Sequence, residues 1–244
     1  MAMERHKPSQ KSEPLQDMFT EVPPSYDLIN RVVSLGMDKQ WRKLAAAACL
    51  AENPQRILDL GCGTGDLTIS IARLAGEHVE ITGLDYSLPM LERAREKAAR
   101  AGLEKRVKFI NGKATSLPFP DGYFNCVGIS FAFRNLSYKN PVRAPHLAEV
   151  LRVLGPGGRC VIVESSQPEN RVIRALFHFY MRTVGQPVGT IISANRGAYR
   201  YLAESMTRFY TPAEVREMLL SAGFSSVSYR PLLLGAVGLH VAIR

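Results

Sequence analysis

The sequence predicts a doubly wound α/β fold, on three observations. Short apolar runs alternate with amphipathic stretches from Arg56 to Glu164. The apolar runs lack period-2 alternation, as strands do when helices cover both faces of a parallel sheet. The first run ends in Gly61-Cys62-Gly63-Thr64-Gly65, a strand-to-helix turn of alternate glycines. With 244 residues, 46% of them hydrophobic, the chain can bury a core without disulfides or structural metal.

Residues 1–14 are polar and read as a disordered tail. Residues 15–52 read as an N-terminal helical cap. Leu28, Ile29, Val32, Val33 and Leu35 precede Gly36, Trp41 opens a second run to Leu50, and Asn53-Pro54 ends it. The main domain, 53–244, opens with a strand over Arg56–Leu60 and a helix from about Asp66 to Leu74. A strand over Val79–Leu84 closes on Asp85, and a helix over Pro89–Ala101 stops at Gly102. Strands follow over Val107–Ile110 and Phe124–Phe133, then a helix over Val142–Leu154. Gly155-Pro156-Gly157-Gly158 reads as its stop and Arg159–Glu164 as the next strand. Residues 168–210, rich in aromatics and Arg, read as a helical insertion over the ligand edge of the sheet. Thr211-Pro212-Ala213-Glu214 is a helix start with N-cap, Pro and acid in their expected places, and Gly223 is its stop. Two last strands, near Ser226–Leu232 and Leu239–Ile243, flank Gly235 and Gly238 and form an antiparallel hairpin. The sum is a Rossmann-like sheet of about seven strands.

Composition excludes some functions and leaves others open. The longest stretches without a charge, Thr183–Asn195 and Pro231–Ile243, have 13 residues each. A spanning helix needs about 20. The N-terminus carries no apolar run of the signal-peptide kind. Cys49, Cys62, Cys126 and Cys160 stand far apart, with no CxxC and no Cys/His spacing for a metal, and read as reduced thiols of a cytoplasmic protein. The net charge is +9, and residues 121–244 hold 14 basic and 7 acidic residues. Such a bias fits nucleic acid, anionic lipid, an acidic substrate, or simply a solvated surface.

The glycine turn carries most of the functional information. Glycines let the main chain bend tightly and let a ligand touch it. The helix that follows offers free N–H groups. Twenty residues past Gly65, Asp85 ends the second strand, where an acid accepts from ribose hydroxyls. The spacing is GxGxG and not GxGxxG, which disfavours a dinucleotide. A nucleoside that carries a carboxylate fits better, and S-adenosylmethionine is that ligand.

The chain resembles the class I S-adenosylmethionine-dependent methyltransferases. More narrowly, it is similar to the ubiquinone/menaquinone-biosynthesis C-methyltransferases from about Met18 to His240. The carrying segments are Tyr26-Asp27-Leu28-Ile29-Asn30, Leu58 to Asp66, Leu117-Pro118-Phe119-Pro120, Phe131-Ala132-Phe133-Arg134-Asn135, Arg152 to Gly158, and Tyr199-Arg200-Tyr201-Leu202-Ala203-Glu204-Ser205. The glycine turn is shared by many methyltransferases, whereas the Arg-Asn pair and the Tyr-x-Tyr-Leu segment are far more specific.

The glycine turn and the resemblance together give a cofactor set of Asp59, Gly61, Gly63, Thr64, Gly65, Asp85, Tyr86, Lys113, Ala114 and Ser130. Lys113 stands where the family has Asn or Asp, and Thr115 where it has Glu. Lysine offers only donors, so adenine recognition is expected to rest on main-chain groups. Tyr86 replaces a smaller aliphatic residue and is placed at the adenosine edge. Phe131-Ala132-Phe133 replaces Phe-Gly-Leu, which narrows the acceptor pocket.

The resemblance implies methyl transfer to a ring carbon of a prenylated hydroquinone, with demethylmenaquinol first and a benzoquinol as the other choice. Carbon is a poor nucleophile until an adjacent phenol ionises, and a phenol's pKa is about 10 by analogy with Tyr. Arg134 is the residue expected to hold the phenolate, with Asn135 as its partner. A salt-bridged structural Arg is the alternative. Asp27, Tyr201 and His146 are the candidate bases, with His146 more plausibly a helix-surface residue. Tyr26, Phe133 and Tyr201 are expected to line the substrate pocket. A prenylated acceptor requires reach to a membrane. The run Arg171 to Arg182, apolar with Arg at three points, suits either an interfacial helix on anionic lipid or a buried lid. Peripheral contact with the inner face of the membrane and a homodimer are both compatible with the sequence.

Three rivals remain. A methyltransferase for another phenolic acceptor has the same cofactor half. A non-catalytic or repurposed cofactor binder is suggested by Lys113 and Thr115. A nucleic-acid methyltransferase is disfavoured, because Ser-Phe-Ala-Phe-Arg-Asn stands where an Asn/Asp-Pro-Pro-aromatic segment belongs and no Pro-Cys occurs.

Overall fold

The computed structural model describes residues 23–185, 187 and 204–244, without the side chains of 23–26 and 29. Two helices, α1 (Pro23–Val33) and α2 (Asp38–Leu50), precede β1 (Arg56–Leu60). Then come α3 (Asp66–Leu74), β2 (Glu80–Asp85), α4 (Leu88–Arg100), β3 (Val107–Asn111) and β4 (Phe124–Ser130). A short α5 (Phe133–Ser137) and α6 (Arg143–Val153) lead into β5 (Leu154–Ser165). The insertion supplies α7 (Arg171–Tyr180) and a π-helical turn, Met181–Gly185. The chain closes with α8 (Pro212–Ala222), β6 (Ser226–Leu232) and β7 (Val237–Ile243).

The seven strands are ordered β3-β2-β1-β4-β5-β7-β6. β1 to β5 run parallel, and β7 is antiparallel between β5 and β6. Strand order reverses between β1 and β4, so the ligand crevice of a doubly wound sheet opens at their carboxyl ends. Apolar side chains leave both faces of the central strands. Trp41, Ala45 and Cys49 of α2 and Leu67 and Ile71 of α3 pack with Ile57, Ile81 and Val161 in one cluster. Leu147 and Val150 of α6 and Val215 and Leu219 of α8 pack with Leu58, Val127 and Ile162 in the other. Two-sided burial is why these strands do not alternate.

α8 starts as its sequence predicts. Thr211 Oγ1 accepts from the Glu214 amide at 3.3 Å, and Glu214 Oε2 accepts from the Thr211 amide at 2.7 Å. Three boundaries differ from expectation by two residues or more. β4 ends at Ser130 instead of running to Phe133, because Phe131 turns into the left-handed region at φ 55° and Phe133 opens α5. β5 begins at Leu154 and includes Gly155–Gly158, which the sequence suggested as a break. The pairing with β4 jumps from Phe124↔Leu154 to Cys126↔Arg159, so the glycine run is an irregular piece of strand. β7 begins at Val237, not at Leu239.

Candidate active site

Gly61, Gly63 and Gly65 all hold left-handed φ, at 68°, 53° and 80°. A Cβ on Gly61 would stand 2.8 Å from the Cβ of Ala132, so that position also requires the bare backbone. A Cβ on Gly63 would meet nothing within 4 Å, because it would project into open space. Gly63 also borders a cleft at the carboxyl ends of β1, β2 and β4. Gly61, Gly63, Thr64, Asp85, Tyr86, Ala114 and Ser130 line it, as does Asn135.

Asp85 is buried at the end of β2. Its Oδ2 accepts from the Gly63 amide at 2.8 Å and its Oδ1 from the Ser87 amide at 2.9 Å. The carboxylate therefore braces the glycine turn while it faces the cleft. Burial raises its pKa above the ordinary carboxylate value. Ser130 Oγ is buried with no hydrogen-bond partner among the described residues.

Asp59, Gly65 and Lys113 do not line the cleft. Asp59 sits behind it, where Oδ2 accepts from the Thr68 amide at 2.9 Å and the Thr68 hydroxyl at 2.6 Å. Burial pushes its carboxyl up to about 7, with the Asp85 charge adding to the rise and the Thr68 bonds opposing it. Gly65 opens α3 and abuts Ala94 and Phe109. Lys113 is exposed, and its neighbours Gly112 and Ala114 form the wall instead.

A second cavity adjoins the first through two shared residues, Arg42 and Phe131. Trp41, Phe177, Tyr180, Met181, Met206 and Val237 give it an apolar lining. Its charged groups are few and paired, Asp38 with Arg42 and Glu164 with Arg134. That is the composition of a site for a hydrophobic ligand held by a polar end. The Arg42 guanidinium lies 5.5 Å from the Phe131 ring centroid.

Arg134 is 3% exposed. Its Nη1 donates to Asn135 Oδ1 at 3.2 Å and to Ser205 Oγ at 2.6 Å, and its Nε lies 3.8 Å from Glu164 Oε1. The expected Arg-Asn pair is thus formed, with Asn135 in the cleft and Arg134 in the apolar cavity. Arg134 also carries the ion pair that was its alternative reading.

Several expectations need correction. Phe133 lines neither space. It is 1% exposed and edge-on to Phe209, because the turn at Phe131 swings it into the core. Asp27 does not stand open as a base. Its Oδ1 accepts from Thr64 Oγ1 at 2.7 Å and its Oδ2 from Lys97 Nζ at 2.9 Å, which ties α1 to α4 and the glycine turn. Lys97 also pairs with Asp66. His146 is buried, not superficial, with Nδ1 2.9 Å from the Leu136 carbonyl oxygen. Tyr201 falls outside the described residues, and Tyr26 is described by backbone alone. The four cysteines are free and buried, and burial raises the thiol pKa of Cys62, Cys126 and Cys160.

Sequence reasoning missed Arg42 and Glu164. Glu164 had a signal. A charged residue that ends an apolar central strand, after Val161-Ile162-Val163, stands at the ligand edge of such a sheet. Arg42 had none, since α2 is distant from the glycine turn in sequence.

Residues 7–244 match the ubiE/COQ5 methyltransferase family. The chain belongs to this family. It is 43% identical to a demethylmenaquinone methyltransferase of Thermus thermophilus over 93% of this chain and all of that one. It is 35% identical to the ubiquinone/menaquinone biosynthesis C-methyltransferase UbiE of Erwinia tasmaniensis, over 95% of this chain and 90% of that one. The fold is shared with an S-adenosylmethionine-dependent methyltransferase from Aquifex aeolicus, at TM-score 0.59 and 20% identity over 96% of this chain and 98% of that one.

This ubiE/COQ5 family member is therefore an S-adenosylmethionine-dependent methyltransferase. The cleft fits that cofactor. Gly61 and Gly63 present bare main chain on its lining, Asp85 presents a carboxylate, and Ser130 holds a hydroxyl with no partner among the described residues.

Proposed function

We propose that the enzyme methylates a ring carbon of a prenylated hydroquinone, with demethylmenaquinol as the leading acceptor. One observation carries this reading. The apolar cavity beside the cofactor cleft has its charged groups in two ion pairs, one of which contains Arg134. The names of the relatives at 35–43% identity support the same acceptor class.

S-adenosylmethionine, when bound, supplies an electrophilic methyl group on a positively charged sulfur. Asp85 is positioned to accept from ribose hydroxyls, and the glycine turn lets the ligand approach main-chain amides. Main-chain groups at Gly112 and Ala114, with Tyr86 beside them, form the adenine edge. Phe131, Phe177, Met181 and Met206 keep the acceptor side dry, so charges there act at low dielectric. The Arg134 guanidinium is aimed at the oxygen that gains negative charge as the ring carbon attacks. Asn135 accepts from Arg134 and lines the cofactor cleft, which couples the two compartments. Bringing the methyl group and the ring carbon into line where the two spaces adjoin, at Arg42 and Phe131, supplies the proximity contribution.

Peripheral contact with an anionic membrane belongs to this reading. α7 exposes Val172, Leu176 and Phe179 on one face, while its Phe177 and Tyr180 line the acceptor cavity. Leu28, Val32 and Leu35 are exposed at α1 and just past its end. Arg171 and Arg182 are exposed at the two ends of the α7 run, which suits an interfacial helix. No described helix is long and apolar enough to cross a membrane.

The test is methyl transfer to reduced demethylmenaquinone, with the product read by mass spectrometry before and after reoxidation. A ring-methylated product reoxidises to a quinone, as this reading requires. A product that gains a methyl group but no longer reoxidises is an ether and refutes carbon transfer.

A further inference from the structure

Glu164 has an unusual set of partners for a structural carboxylate. It is 2% exposed, ends the apolar strand β5, and lines the acceptor cavity. Oε1 accepts from the Ser165 amide at 2.8 Å and the Ser165 hydroxyl at 2.9 Å. Among the described residues Oε2 accepts only from the Arg134 amide, at 3.0 Å. Two acceptor sites per oxygen leave one site open on Oε2. The Arg134 Nε–H, 3.8 Å from Oε1 of the same carboxylate, is buried and has no hydrogen-bond partner among the described residues. An ion-pair contact at 3.8 Å neutralises both charges but fills neither vacancy.

An unfilled acceptor beside an unfilled donor, both buried and on one cavity wall, matches a group that donates and accepts at one atom. A phenol hydroxyl is such a group. A peptide carbonyl or a carboxylate would leave the Oε2 site empty, and an ammonium would leave Nε empty.

We propose that Glu164 is the general base of the reaction and receives the acceptor's phenolic proton on Oε2, while Arg134 Nε donates to the same phenol oxygen. This rests on the hydroquinone reading above. The phenolic O–H bond breaks toward Glu164 as the ring carbon takes the methyl group. The carbon–sulfur bond breaks with its electron pair remaining on sulfur, which becomes a neutral thioether. The ring is then a ketone with one sp³ carbon that bears both methyl and hydrogen. Loss of that hydrogen as a proton to water restores the aromatic ring, and Glu164 returns its proton to the oxygen. One proton is released overall. Asp27 and His146 are not required for this cycle, since both are already engaged elsewhere.

The experiment compares wild type with Glu164→Gln on two acceptors, demethylmenaquinol and an analogue made more acidic by a chlorine on its distal ring. General-base catalysis contributes about 100- to 10,000-fold. Turnover of the parent acceptor is expected to fall at least about 100-fold in the variant. The chlorinated acceptor, which ionises more readily, should lose far less, and the variant's turnover should rise with pH while the wild type stays flatter. S-adenosylhomocysteine binding by calorimetry should match wild type, which reports a folded cleft independently of activity. If Glu164→Gln does not bind it, Glu164→Asp takes its place, and the same selective rescue by acceptor acidity is required of it. Equal losses on both acceptors would make Glu164 a prop for Arg134 and overturn the proposal, as would unchanged turnover. A wild type that methylates no hydroquinone overturns the substrate reading, and this inference with it.

Discussion

The cofactor cleft and the acceptor cavity meet at Phe131, yet they are built by different rules. Strand ends and main chain shape the cleft. Three left-handed glycines and a carboxylate bonded to two amides set its form. The cavity is shaped by side chains drawn from α1, α2, α7, β5 and the turn before β7. A backbone site tolerates almost no change at its glycines, because any side chain either clashes or fills the gap. A side-chain site can be retuned residue by residue, provided that buried charges stay paired.

The sharpest break between the two comes from Gly61→Val. Its side chain would meet Ala132 and must adopt a left-handed backbone. S-adenosylmethionine affinity should fall by about 100-fold or more in calorimetry, with the melting temperature used to confirm folding. Next comes Arg134→Lys, which keeps the charge against Glu164 but loses the fork to Asn135 and Ser205. Turnover should drop by about 100-fold, while cofactor affinity stays within a few-fold. Asp85→Ala acts in the opposite compartment. Cofactor affinity should weaken by about tenfold or more, as expected for a lost charged hydrogen bond, with little change in the KM for quinol.

Smaller effects separate outside from inside. Phe179→Asp removes apolar surface from the exposed face of α7. It should reduce cosedimentation with anionic vesicles several-fold and leave turnover of a short-chain, water-soluble quinol unchanged. The smallest effect is on stability. The Asp59 carboxyl is raised from 3.8 to about 7, so protonation is favoured by folding. Its stabilising contribution is complete below pH 4 and is lost as pH rises through about 7. Asp59→Asn has no such loss. The melting temperatures of variant and wild type should coincide near pH 4 and diverge by a few degrees, in favour of the variant, above pH 7.

The same contrast explains what the sequence made legible. The cleft is local: the glycine turn is contiguous, and Asp85 follows one strand–helix unit later, so spacing alone placed them. Lys113 was counted in the cofactor set on the resemblance, and it stands exposed outside the cleft. The cavity gathers residues from Asn30 to Val237, and no spacing rule joins Arg42 to Glu164 or Met206. Phe133 was mistaken for a lining residue because the strand was read through it. One left-handed residue, Phe131, exchanged which aromatic faces the cavity. A positive φ on an aromatic residue is costly and has no sequence signature. The Gly155–Gly158 run follows the end of α6 at Val153, as read, but it also belongs to β5, whose register against β4 is irregular there.

Calorimetric titration of S-adenosylmethionine into Gly61→Val and Arg134→Lys, beside turnover of the same preparations, tests the division into two adjoining compartments most directly. The expected result is crossed, with binding lost in the first variant and retained in the second, although both lose turnover. If Arg134→Lys lost the cofactor as completely as Gly61→Val, the two spaces would not act separately, and the roles assigned to them would be wrong.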